Sequence, residues 1–98
     1  MAHFHTYYVY ILLCSDNTYY TGVTNNIERR LHEHNFGINL KAYTYFRKPL
    51  ELKYVAPFIN IFDAIAFEKQ VKGWSRRKKE ALFEENWEEI VRLSNLKR

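Results

Sequence analysis

Tyr7-Tyr8-Val9-Tyr10-Ile11-Leu12-Leu13-Cys14, then Ser15-Asp16-Asn17, then Thr18-Tyr19-Tyr20-Thr21-Gly22-Val23 is the stretch on which the fold turns. The first run is almost continuously apolar and rich in β-branched and aromatic residues, which predicts a strand covered on both faces. The polar triplet predicts a turn, and residues 18 to 23 a partner strand. Turn length then decides which face each tyrosine takes. A two-residue turn at Asp16-Asn17 pairs Ser15 with Thr18 and Tyr10 with Val23, so Tyr10 and Tyr20 leave the sheet on opposite sides. A three-residue loop pairs Cys14 with Thr18, Leu12 with Tyr20 and Tyr10 with Gly22, and brings both rings to one face. Asn17 suits the longer loop, because its short polar side chain tolerates the left-handed conformation needed at the third position.

Outward from the hairpin, Asn25 reads as a helix cap, with Glu28 three residues on completing the reciprocal arrangement and Gly37 closing the helix. Residues 38 to 49 read as a loop, and Leu50 to Phe58 as a third strand. Asn60 and Asp63 open a second helix that Gly73 ends. Ser75 caps a third helix running to about Phe83. Asn86 starts a short fourth, whose Trp87, Ile90, Val91 and Leu93 are expected to dock on the rest. The order β-β-α-β-α-α-α predicts an α+β fold: a three-stranded, mainly antiparallel sheet with helices packed on it. A chain of 98 residues is expected to form one domain over residues 1–98, large enough to bury somewhat over ~60% of the surface exposed when unfolded.

The formal charge is +4 and the isoelectric point about 9.2. Both suit a polyanionic partner and equally an ordinary basic surface. The single cysteine, Cys14, excludes an internal disulfide and reads as a small buried hydrophobe. Residues 1 to 5 carry no secretory signal, and no segment approaches the ~20 apolar residues of a membrane span, so the expected compartment is the cytoplasm.

Helical phase singles out particular side chains. With Ile27 at zero and about 100° per residue, Ile27, Leu31 and His34 form the buried stripe; Arg30 lies on its flank and Arg29 in solvent. Arg30 could grip a phosphate through its planar fork, or cover the core edge and pair with a carboxylate. On the second helix Ala64, Phe67, Val71 and Trp74 share a face, and Glu68 stands beside it. A carboxylate there must be paired, hydrogen-bonded or metal-bound. One reading is an i,i+4 pair with Lys72, worth only ~0.3–0.5 kcal/mol. Ser75-Arg76-Arg77-Lys78-Lys79 fills the first turn of a helix with cations, against the macrodipole. Either a nucleic-acid backbone relieves that charge, or Glu68, Glu84 and Glu85 partly balance it.

Tyr8-Val9-Tyr10, Tyr20-Thr21-Gly22, the run Asn25 to His34 and the run Phe67 to Trp74 together resemble the GIY-YIG nuclease superfamily, in particular its small stand-alone bacterial members. The likeness extends from about Tyr7 to Trp87, with Tyr8 standing where the first motif usually has glycine. It implies a metal-dependent endonuclease that hydrolyses nucleic-acid phosphodiester bonds, DNA ahead of RNA, in a setting of repair or recombination. The catalytic set it implies is Tyr10, Tyr20, Arg30, His34 and Glu68. Glu68 would be the one protein ligand of a divalent cation, Mg2+ or Mn2+, and no organic cofactor is implied. His34 either supports the phosphate site or is a hydrogen-bonded core histidine. Tyr10 would be the general base, although a phenol with a pKa near ~10 needs a cation or a relay to serve near neutrality. Lys41, Tyr43 and Thr44 would border the groove, and Lys72, Arg76, Arg77, Lys78 and Lys79 would track the backbone. Because one site must use both tyrosines, the three-residue loop or an equivalent bulge is expected, with both hydroxyls facing a groove that holds Arg30 and Glu68. The other reading is a nucleic-acid-binding module that keeps the fold without cleaving.

Overall fold

The computed structural model describes residues 5–36 and 44–96. Its elements are β1 (Tyr7–Leu13), β2 (Tyr19–Thr24), α1 (Ile27–Asn35), β3 (Glu51–Phe58), α2 (Ile61–Lys72), α3 (Arg76–Phe83) and α4 (Trp87–Ser94). The strands form one antiparallel sheet in the order β2-β1-β3. β1 is central and is buried from Val9 to Leu12, as its unbroken apolar run requires. Pro57 is tolerated because β3 is an edge strand.

The hairpin takes the longer loop. Cys14 and Thr18 are joined by a backbone hydrogen bond of 2.8 Å, and Asn17 adopts φ 69°. Leu12 then faces Tyr20 and Tyr10 faces Gly22, so both tyrosines project from one side. Long-range ties hold the loop: Asp16 pairs with Arg47 at 2.9 Å, and the Arg76 guanidinium donates to the carbonyl and side-chain oxygens of Asn17.

The two faces carry different helices. Ile11 packs with Val71 of α2, Ala81 and Leu82 of α3 and Ile90 of α4, with Tyr19, Tyr54, Phe67, Trp74 and Phe83 around them. Tyr10 points the other way, toward His34 of α1.

Two local expectations shift. Asn26, not Asn25, caps α1: it is extended, its side chain accepts from the Arg29 amide at 2.9 Å, and the Thr24 hydroxyl accepts from its own amide at 3.1 Å. Glu28 therefore sits one position early for the reciprocal cap, but stays in the first turn where the dipole favours it. In α4 only Ile90 is buried, Leu93 is half-buried, and Trp87 and Val91 are exposed. Gly37, the expected end of α1, lies outside the described residues, within which Phe36 closes the helix.

Candidate active site

Alternation along β1 and β2 puts Tyr10, Gly22 and Tyr20 on the face that α1 covers, and the stripe of α1 brings His34 and Arg30 to them. The Tyr10 hydroxyl lies 2.9 Å from His34 Nε2, and His34 Nδ1 lies 2.6 Å from Thr44 Oγ1. The Tyr10 and Tyr20 rings are 6.2 Å apart, and Tyr20 meets His34 edge-on at 5.2 Å. Gly22 makes this packing possible: a Cβ there would fall 2.6 Å from the Tyr10 hydroxyl oxygen. In the sequence Gly22 enters only as the register partner of Tyr10 and as part of the Tyr20-Thr21-Gly22 segment. Its steric role becomes visible once the register puts Tyr10 above it.

Arg30 stands beside the Tyr10 oxygen and pairs with Glu33 at 3.1 Å, the carboxylate pairing considered for it. Its side chain is 33% exposed against 53% for Arg29, in keeping with helical phase. Burial, above all, pushes the Tyr10 phenol well above its ordinary range, despite the nearby guanidinium. Burial and then Arg30 hold His34 below the usual imidazole value. With the phenol protonated and the imidazole neutral, we assign the Tyr10 O–H as donor to Nε2 and Nδ1–H as donor to Thr44. Thr44 is only 1% exposed. The sequence places it at the border of the groove, but it is buried and orients His34. Lys41 and Tyr43 lie outside the described residues.

Two measurements follow from this buried chain. Tyr10→Phe keeps the ring but leaves Nε2 without its partner, so urea denaturation at neutral pH should show a loss of about 1–3 kcal/mol. A loss indistinguishable from zero would mean the bond does not hold the site. The depressed pKa of His34 makes stability full above about pH 6.5, its unfolded value, and lost as pH falls from there through the folded value. That acid slope should flatten in His34→Gln.

Glu68 arrives from a different direction. It lies on α2, against the sheet face opposite Tyr10, and its side chain is 13% exposed and 3.5 Å from Lys72. Lys72 in turn lines a cleft of about 240 Å³ with Tyr19, Tyr20, Thr21 and Lys79. Arg30 stands with Tyr10 on one side of the sheet, whereas Glu68 belongs to α2, whose Val71 packs with Ile11 on the other.

The basic turn is not uniform. Arg76 pairs with Glu80 at 3.1 Å and covers the Tyr19 ring at 4.3 Å, besides holding Asn17. Arg77 reaches Glu89 at 3.5 Å, and Lys78 lies 4.3 Å over the Trp74 ring. The balancing carboxylates are thus Glu80 and Glu89 in place of the expected Glu68, Glu84 and Glu85. No helix among the described residues is long and apolar enough to cross a membrane.

The family model described as the GIY-YIG catalytic domain matches residues 6–81. A UPF0213 protein of Halobacterium salinarum is 44% identical over 77 residues, covering 79% of this chain and 99% of that protein. The solution NMR structure of the UPF0213 protein BH0048 from Bacillus halodurans is similar, with a TM-score of 0.51 and 42% identity over 79% of this chain and 81% of that one. That of the protein EF2693 from E. faecalis has a TM-score of 0.59 and 34% identity, covering 86% and 88% of the two chains.

Proposed function

We propose, from the premise that this chain belongs to the GIY-YIG nuclease family, that it is a metal-dependent endonuclease acting on nucleic acid, DNA first. The observation that carries this reading is the meeting of Tyr10, Tyr20, Arg30 and His34 on one face, together with the sheltered carboxylate Glu68 on α2.

The reaction is attack of water on phosphorus with loss of one ester oxygen. Arg30 opposes the charge that grows on the phosphate, and the Tyr20 hydroxyl helps to place it. Tyr10 acts as a relay: its oxygen takes the proton of the attacking water as its own proton passes to His34 Nε2, while Thr44 steadies the ring. A bound phosphate offsets Arg30, which otherwise lowers the basicity of His34, and so readies the imidazole for that proton.

Glu68 is suited to Mg2+ or Mn2+. Such ions keep several waters and need one or two carboxylates plus substrate phosphate, and a lone sheltered carboxylate meets that need. When bound, the ion would withdraw charge from the phosphate. Among the described residues no group of three or more His, Cys, Asp or Glu could hold a metal; in this reading Glu68 is the protein ligand and water and substrate phosphate complete the shell.

The test is a cleavage screen over labelled linear, flap and branched substrates with magnesium or manganese, run beside Glu68→Ala. Cleavage by the parent alone supports the reading; binding without cleavage of any substrate assigns a non-catalytic binding module instead. The basic face should appear in the salt dependence. Neutralising Arg77, Lys78 and Lys79 together is expected to weaken duplex binding and reduce the slope of log K against log salt by about 0.9 for each phosphate that the protein no longer neutralises. An unchanged slope would make the cluster a solvated surface. Arg76 is left out because its removal would loosen the hairpin.

A further inference from the structure

The cleft beside β2 holds two groups that the proposed reaction does not use. Thr21 is 3% exposed, and its hydroxyl is the one buried side-chain polar atom without a hydrogen-bond partner among the described residues. A buried hydroxyl left unbonded destabilises a fold unless something outside the chain bonds it. Lys79 is the second group. Arg76, Arg77 and Lys72 each have a carboxylate within 4 Å and Lys78 has an aromatic ring, whereas among the described residues Lys79 has neither. Burial and then Arg76 hold its ammonium below the usual lysine pKa, as expected for a cation lacking an anion. The cleft lining of Tyr19, Tyr20, Thr21, Lys72 and Lys79 contains hydroxyls and ammonium groups but no carboxylate. The Tyr19 hydroxyl is already given to Glu80 at 2.9 Å.

We propose that this cleft is a phosphate subsite, in which Lys79, Lys72 and the Thr21 hydroxyl hold the phosphodiester next to the one that is cleaved. The assignment to a neighbouring phosphate rests on the nuclease reading and on Tyr20. Tyr20 lines the cleft and also packs against His34 and Tyr10, so a strand crossing the edge of β2 would present successive phosphates to the two sites. The ligand chemistry is an acceptor-only tetrahedral anion facing hydroxyl and ammonium donors.

Two variants test it in the full-length chain, Thr21→Val and Lys79→Gln, with inorganic phosphate and a short single-stranded oligonucleotide as probes. Titration with phosphate, followed by amide NMR, should move the signals of Tyr20, Thr21 and Lys79 in the parent. Affinity should fall about tenfold in either variant, the loss of one hydrogen bond to a charged group. In phosphate-free buffer the Tm of Thr21→Val should equal or exceed that of the parent, because the substitution removes an unmet hydroxyl; a purely structural threonine would lower it. For the oligonucleotide both variants should bind more weakly. Only Lys79→Gln should reduce the salt slope, by about 0.7 for a single strand. Phosphate binding that both variants weaken, with oligonucleotide binding untouched, would make the cleft a site for free phosphate and overturn the phosphodiester assignment. No phosphate-dependent shifts in the parent would overturn the subsite itself. These readouts need no turnover, so an absence of cleavage on every substrate would defeat the nuclease reading while leaving the subsite to be judged on binding.

Discussion

Glu68→Ala is expected to give a folded protein that binds nucleic acid and does not cleave it at any magnesium concentration. The fold should survive because the partner lost is Lys72, whose side chain is 65% exposed and returns to water; an i,i+4 pair of this kind contributes only ~0.3–0.5 kcal/mol. Turnover should fall below detection, a loss of at least about 10³-fold, since a bound cation supplies several kcal/mol of transition-state charge stabilisation. Thermal denaturation, nucleic-acid binding and single-turnover cleavage across a magnesium series together read this out. Surviving activity with an unchanged metal dependence would remove Glu68 from the site.

Arg30→Ala should lower the cleavage rate by about 10²–10³ while Arg29→Ala changes it little, in line with loss of one preorganised group that faces developing charge. The two arginines are adjacent and chemically identical, so only direction separates them. Arg30 stands against the Tyr10 oxygen. Arg29 extends outward to Asn25 at 2.9 Å and toward Glu33 at 3.9 Å. Equal losses in single-turnover assays would contradict the assignment of Arg30 to the phosphate.

Sequence and structure part where distant residues compete. Thr44 is placed at the groove by the resemblance, and nothing local shows that the side chain turns inward to His34. Arg76 reads as one cation among four, yet an acceptor fifty-nine residues away in the hairpin claims it. Helix α4 offers several apolar residues, and the tertiary packing buries Ile90 while leaving Trp87 and Val91 in solvent. The shift of the α1 cap from Asn25 to Asn26 is smaller, and it comes from the Thr24 hydroxyl tying the turn one residue later.

By itself the sequence determined the order of elements, the three-residue hairpin loop with Asn17 at positive φ, the common face of Tyr10 and Tyr20, and the inward turn of Arg30 relative to Arg29. The element order and the turn of Arg30 follow from strand alternation and helical phase, which act between residues a few positions apart; the longer loop and the common face of the tyrosines are allowed by turn chemistry at Asn17 and chosen by the resemblance, which requires both rings in one site. Only the tertiary structure decided that Gly22 clears space for the Tyr10 ring, that His34 bridges Tyr10 and Thr44, and that Thr21 and Lys79 face a cleft without partners among the described residues. Those relations depend on which of several chemically equivalent groups comes within a few ångströms of another. Packing of whole elements settles that choice, and no local pattern encodes it.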